Sequence, residues 1–467
     1  MNRFISIIVL LLPFHIFAQQ YFYKSSTLDY AWQYVGEAGF SPGVASQNSL
    51  AFSPSGQPYL AFENYSDSNK MTIMKFDENN WVCVGDSGIP IGKGEYISLA
   101  FNPASGQPYV AFQDKEDTLK ATVKKFEGNS WVNVGNPGFS SSYAYNLSLA
   151  FNQSGQPYVA FVDYDYAAYN KLTVMKFDGT NWVHVGNAGF SAGQASDPSI
   201  AFSLTDEPYV AYMDWISSPQ KGAAVMKFNG TNWENVGNAG FSSGRVNETK
   251  LAFNSISQPY VAYADDNFGD RLSVMKFDGN NWVYEGEAGF TIGSVDFISF
   301  AISLTDQPYV SYRDIEYSGK ASVMKFSGNN WVNVGNPGFS MGNAACTSLA
   351  FNPISGQPYL AFEDGSQFFE KASVLKYDSV YVSIDEPQKS EFFLYPNPAN
   401  ANLTINFNKA NGDFKSIGVY DARANLIFAT ETKDNHIVLN VENYPPGIYF
   451  IKVNSVHSNW VGRFYKN

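Results

Sequence analysis

Six aspartates recur at a near-constant interval, Asp114, Asp163, Asp214, Asp265, Asp314 and Asp364, with Asn64 at the corresponding place ahead of them. Each is followed a few residues later by a base, in order Lys70, Lys120, Lys171, Lys221, Arg271, Lys320 and Lys371. A ring of carboxylates would hold cations or sugar hydroxyls. The same pattern also suits an Asp/Lys pair across the base of a hairpin, worth at most about 1 kcal/mol if exposed. Its presence in nearly every copy favours the pair, because a binding site breaks repeat symmetry.

Other chemistry is sparse. Beyond residue 18 the histidines are His184, His436 and His457, so no metal site of paired imidazoles and no Ser/His/Asp set can be assembled except around His184, which reads as a solvent-side strand residue. Arg245, Arg271 and Arg313 are the arginines of the repeat region, and Arg271 stands where its counterparts are lysines, so an arginine cluster for a carboxylate substrate is not expected. Asp163-Tyr164-Asp165 and Asp265 to Asp270 could attract calcium, but neither completes an EF-hand-type loop. No catalytic residue, metal or cofactor is assigned. Cys83 in an outer strand and Cys346 in a loop read as unpaired.

The element that positions these residues is a repeat. A Gln/Glu-Pro-Tyr step has its proline at Pro58, Pro108, Pro157, Pro208, Pro259, Pro308 and Pro358, at spacings of 50, 49, 51, 51, 49 and 50 residues. A period in this range signals a solenoid, a propeller or an array. One copy, residues 98 to 139, splits at its turn residues into SLAF, PYVAF, KATVKKF and WVNVG, four runs rich in strand formers. Apolar residues on both faces of the second run, Tyr109 with Ala111 and Val110 with Phe112, imply a sheet covered on both sides, as in a propeller blade. The tryptophans Trp32, Trp81, Trp131, Trp182, Trp233, Trp282 and Trp331 run one strand ahead of the Pro-Tyr steps. The chain thus opens with a lone outer strand, AWQYVG, and closes with a blade one strand short. Pairing the two predicts an all-β, seven-bladed propeller without free edges.

Function is expected where the copies differ. The loop between the second and third runs changes from unit to unit, YSDSN, KEDTL, YDYAAYN, WISSPQ, DNFGD, IEYSG and GSQFFE, while the hairpins of the opposite rim stay nearly uniform. Aromatics gather in it: Tyr65, Tyr164, Tyr166, Tyr169, Trp215, Phe268, Tyr317, Phe368 and Phe369. Rings beside carboxylates and amides suit sugars, so Tyr164, Tyr166, Trp215, Phe268, Tyr317 and Phe368 are the expected ligand-binding residues, with Tyr164, Tyr166 and Trp215 converging on one cleft. The ligand is a glycan or a protein. A polysaccharide-active enzyme using loop carboxylates and a structural surface-layer component are the alternatives. The hairpin Phe177 to Trp182 has the look of a sialidase Asp-box, but it lacks the leading Ser/Thr and sets Asp178 four rather than five residues before the tryptophan.

Charge and the termini set the compartment. The chain of 467 residues carries −13, of which +1 lies in residues 1–18 and +2 in residues 392–467, so the repeat region is strongly acidic and nucleic acid is not an expected partner. MNRFISIIVLLLPFHIFAQQ reads as a cleavable export signal over residues 1–18, its apolar run too short to span a bilayer. The propeller is expected over 19–378, a polar linker over 379–391 and a separate β-sandwich over 392–467. In that last module Tyr395-Pro396-Asn397-Pro398-Ala399, Leu403-Thr404-Ile405, Val419-Tyr420-Asp421, Pro446-Gly447-Ile448-Tyr449, Lys452-Val453 and a tail with Arg463 and Lys466 resemble the type A C-terminal sorting domain of the type IX secretion system of Bacteroidetes, with Asn425 where many such modules carry glycine. The resemblance implies engagement of the type IX translocon, removal of the module, and a mature product that is secreted or held at the outer-membrane surface, with no membrane span.

Overall fold

The computed structural model describes residues 28–85, 92–164, 170–215, 222–366, 370–381, 392–407, 415–422, 425–455 and 459–467. The expected export signal, Tyr166, Tyr169, Phe368, Phe369, Asp165, Lys221 and nearly all of the linker lie outside these residues. Tyr30–Ser379 forms one compact unit. It consists of seven four-stranded antiparallel sheets.

Each sheet is a blade whose first strand is innermost. Blade 2 is typical, with Gly94–Phe101, Pro108–Asp114, Lys120–Glu127 and Ser130–Asn133. Its second strand is buried at every position, which is why that strand reads as apolar on both faces. The cores lie between blades: Ala111, Val123 and Val134 of blade 2 pack with Leu149, Phe161 and Trp182 of blade 3. Ring closure follows the tryptophan offset. Leu28–Tyr34 is the outer strand of the blade formed by Ala344–Phe351, Pro358–Asp364 and Lys371–Tyr381. Inner strand Ala45–Phe52 packs against both Gly94–Phe101 and Ala344–Phe351, so the seven inner strands encircle an axis.

The tryptophans stitch each blade to the one before it. The Trp81 indole N–H donates to the Val35 carbonyl at 2.7 Å, Trp182 to Val134 at 2.7 Å, and Trp32 to Val334 at 2.7 Å across the closure. Phe40 lies flat on Trp81 with ring centres 4.3 Å apart. On the rim of the first-to-second hairpins, side chains also cross between blades: Asn102 Nδ2 donates to the Gly155 carbonyl at 2.8 Å and Asn352 Nδ2 to the Gly56 carbonyl at 3.0 Å.

The C-terminal module is two sheets. One contains Phe392–Tyr395, Asn402–Phe407 and His436–Asn440; the other contains Leu426–Thr432, Lys415–Tyr420, Gly447–Ser455 and Asn459–Lys466. Leu403, Ile405, Val419, Ile451 and Phe464 are buried together in its core. Asn425 donates through both its backbone N–H and its side-chain amide to the Asp421 carboxylate, each at 2.9 Å. Among the described residues no helix is long and apolar enough to cross a membrane.

Candidate functional site

Asp114, Asp265, Asp314 and Asp364 are not the exposed half of an ion pair. They do stand opposite the bases in register, Asp114 against Lys120, Asp265 against Arg271, Asp314 against Lys320 and Asp364 against Lys371. Yet these four are buried, and among the described residues none of the four contacts its opposite base as an ion pair. A buried carboxylate needs hydrogen-bond donors close by. Asp364 Oδ1 takes the Ser366 N–H at 3.0 Å, and its Oδ2 takes the Ser373 hydroxyl at 2.8 Å and the Tyr34 hydroxyl at 3.3 Å. Ser373 Oγ in turn accepts the Gly39 N–H at 2.8 Å. Asp265 repeats the arrangement through Asn267, Ser273 and Gly289. The expected pair is replaced by a relay that holds the variable loop and the exit loop of the same blade. Burial pushes Asp265 and Asp314 above the usual carboxylate range, against these hydrogen bonds.

A second recurrent feature gave no signal in the sequence. Each inner strand has a bulge near its start, and one residue there adopts positive φ: Gln47 (56°), Tyr96 (52°), Asn146 (54°), Asp197 (50°), Glu248 (55°), Phe297 (50°) and Cys346 (49°). None is glycine, so the conformation is strained unless neighbours hold it. The next blade supplies the hold. Gln47 Oε1 accepts the Tyr96 N–H, Asn146 Nδ2 donates to Asp197 Oδ1 at 3.0 Å, and Glu248 accepts the Phe297 and Ile298 N–H groups at 2.9 and 2.7 Å. Cys346 therefore lies in an inner strand and not in a loop as expected; burial pushes its thiol up to about 12. Cys83 and Cys346 are both free.

Between the bulge ring and the variable loops the face divides into two halves. The residue before the terminal Asp or Asn of the second strand is Arg313, Glu363, Glu63 and Gln113 in blades 6, 7, 1 and 2, but Val162, Met213 and Ala264 in blades 3, 4 and 5. On the polar half, Lys115 Nζ bridges Glu63 at 2.7 Å and Glu95 at 2.6 Å, and Arg313 clamps Asp296, its Nε 2.7 Å from Oδ1. Desolvation, with Glu370 adding its charge, pushes the Glu363 carboxyl up to about 7.

The apolar half carries the cleft. Tyr145, Asn146, Val162, Tyr164, Asn170, Gln194, Ala195, Ser196 and Trp215 line a cavity of about 270 Å³ between blades 3 and 4. Tyr164 and Trp215 are 44% and 40% exposed, so their faces are open to a ligand. The Trp215 indole N–H donates to Ser196 Oγ at 3.2 Å, which fixes the ring at the wall. Tyr164 meets Tyr145 edge to face at 5.8 Å and stacks on Tyr143 at 6.1 Å; Tyr145 meets Tyr96 edge to face at 5.9 Å.

Of the expected binding residues, Tyr164 and Trp215 thus share one cleft. Tyr166 and Phe368 lie outside the described residues. Phe268 and Tyr317 are exposed but stand over Gly289 and Gly338 of their own exit loops, so neither lines that cleft. Tyr96, Tyr143 and Tyr145, which extend the same run of rings, gave no signal in the sequence because they sit in inner strands, where an aromatic reads as core. His184 is exposed in its outer strand, as expected. Asp265, in one of the two acidic loops considered for calcium, caps the short 3-10 helix Asp266–Phe268, and among the described residues no group of three or more metal-ligating side chains gathers.

Residues 393–467 match the family described as secretion system C-terminal sorting domain. The module is a type IX sorting domain, and the protein is secreted or carried to the outer-membrane cell surface. No curated protein matches the chain. Among solved structures it is similar to PorZ, an essential bacterial surface component of the type-IX secretion system of Porphyromonas gingivalis, at 13% identity and TM-score 0.39 over 89% of this chain and 64% of that one. The chain thus spans slightly less than two thirds of PorZ. It is also similar to a family PL25 ulvan lyase, at 10% identity and TM-score 0.48 over 75% and 96% of the two chains, and to the α-L-arabinanase of Penicillium chrysogenum, at 12% and 0.43 over 75% and 98%. None of these likenesses bears on what this chain binds.

Proposed function

We propose that this type IX-sorted protein is a surface or extracellular binding protein that takes a glycan in the cleft between blades 3 and 4. The observation that carries the reading is the convergence of Tyr164 and Trp215, from different blades, on a cavity whose described lining also includes Tyr145, three side-chain amides and the Ser196 hydroxyl. Ring faces pack on the C–H surface of a sugar, while Asn146, Asn170, Gln194 and Ser196 are placed to hold hydroxyls. The test is a glycan array with the recombinant propeller, then calorimetric titration of the strongest hit. Trp215→Ala and Tyr164→Ala should each weaken binding by tenfold or more, or about 1 to 3 kcal/mol, and Asn181→Ala on the opposite rim should not. Equal affinities for all three would place the site elsewhere; a hit confined to protein partners would replace the glycan.

One observation favours a second reading, that of a polysaccharide-active enzyme. Desolvation pushes the Glu363 carboxyl, in the second strand of blade 7, up to about 7, into the range that a general acid needs. Turnover of the array hit, lost in Glu363→Gln, would establish it. Export is tested separately: without residues 392–467 the propeller should stay in the periplasm of its native host, and its appearance in the medium would contradict the sorting role.

A further inference from the structure

Resting on that glycan reading, we infer that the ligand is an uncharged sugar chain lying along a strip of tyrosines from the rim to the mouth of the axial ring, and not a single terminal sugar. Three observations carry this. The first is continuity. Tyr143, Tyr164, Tyr145 and Tyr96 follow one another with ring centres 6.1, 5.8 and 5.9 Å apart. Tyr143 and Tyr164 are exposed at the rim, and Tyr145 and Tyr96 are half-buried toward the bulge ring to which Tyr96 belongs. A pocket for one sugar needs one ring and a closed end; a graded run of four, the first two stacked and the next contacts edge to face, extends the aromatic surface beyond the length of one sugar.

The second observation is the lining. Among the described residues lining the cleft none is charged, and their polar side-chain groups are amides, hydroxyls and the Trp215 indole N–H. The base that follows Asn170, Lys171, stands opposite Asp163 in register.

The third is the charge at the inner end. Glu95 lies close enough to Tyr96 and Tyr145 to act on both electrostatically, and Asp197 acts on Tyr96. Lys115, the base nearest Glu95, is already held by two carboxylates. A uronate or sulfate arriving here would meet the Glu95 carboxylate, whose ion-pair partner Lys115 is already shared with Glu63, on a propeller already strongly acidic. A neutral chain meets no such cost.

The experiment is titration of the recombinant propeller with neutral oligosaccharide ladders, gluco-, manno- and arabino-oligosaccharides from one to six sugars, beside an oligogalacturonate ladder of the same lengths. Affinity for the neutral series that binds should rise at least tenfold from one sugar to four and then level off, and oligogalacturonates should bind at least tenfold more weakly at equal length. Tyr143→Ala should weaken the longest neutral oligosaccharide several-fold and leave the disaccharide unchanged, while Tyr143→Phe, which keeps the ring, should restore it; a matching melting curve guards against a folding defect. A length-independent affinity with Tyr143→Ala silent would overturn the extended strip and leave the glycan reading standing. Tighter binding of oligogalacturonates would overturn the charge argument. Binding of no ladder at all would overturn both this inference and the glycan reading.

Discussion

On the rim of the first-to-second hairpins, Asn102 reaches Gly155 of the next blade and Asn352 reaches Gly56; on the opposite rim, Asp265 and Asp364 turn back to hold the loops of their own blade. Hydrogen bonds that cross a boundary need matched partners in two copies, so the hairpins bearing them resemble one another. A loop held from within one blade needs only its own aspartate and serine. The remaining loop residues then vary freely, and the exposed rings Tyr164, Trp215, Phe268 and Tyr317 stand there. The difference teaches that variation follows the direction of the hydrogen bonds and does not require a looser fold.

The strongest way to break this comparison is to open the ring. Deleting residues 19–36 removes the strand Leu28–Tyr34 and the Trp32 bond to Val334, exposing the edge of Lys371–Tyr381. Loss of the single cooperative thermal transition, or gross aggregation, is expected; an unchanged melting curve would show that stitching between blades is not what holds the fold. A smaller effect separates the relay from an ion pair. Asp364→Ala leaves the buried Ser373 hydroxyl and the Ser366 N–H without their acceptor and should cost about 1 to 3 kcal/mol in denaturant melts, whereas Lys371→Ala should cost within about 0.5 kcal/mol. Equal losses would restore the ion-pair reading.

The smallest effect concerns the polar half of the variable face. The Glu363 carboxyl is raised to about 7 when folded and returns to the ordinary value near 4.5 when unfolded, so between those pH values the folded state holds the proton more tightly. Stability is greatest below about pH 4.5 as far as this group is concerned and falls as pH rises toward 7, by of order 1 kcal/mol after allowance for its partial exposure. Thermal melts from pH 5 to 8 should show that decline, and Glu363→Gln should flatten it. A slope of opposite sign, or one that survives the substitution, would refute the assignment.

The fold was legible because its devices are punctual residues. Pro58 and its six counterparts mark the buried second strands, and Trp32 standing ahead of the first Pro-Tyr step announced the closure. The aspartate relay was misread because Asp364 and Lys371 do face one another in register, and a sequence carries no record of burial that would turn the carboxylate toward Ser373. The bulge ring was invisible for a different reason. Gln47, Tyr96, Asn146, Asp197, Glu248, Phe297 and Cys346 share a backbone conformation but no side-chain type, and the bonds that link Gln47 to Tyr96, Asn146 to Asp197 and Glu248 to Phe297 span about one repeat, between adjacent blades. Tyr143 and Tyr145 are a similar case: strand tyrosines read as core until the neighbouring blade is seen to leave part of each ring uncovered.

The seventh blade joins the two ends of the ring unit, Leu28–Tyr34 to Lys371–Tyr381. The earliest strand of the ring to be made must therefore wait for the last, and every intermediate length of chain has an unfilled place and an exposed edge. Completeness is written into the topology: a chain cut short before residue 371 has no partner for Trp32's strand, however well its finished blades pack. The sorting module lies C-terminal to that point, so any copy that bears the export address also contains every strand needed to close the ring.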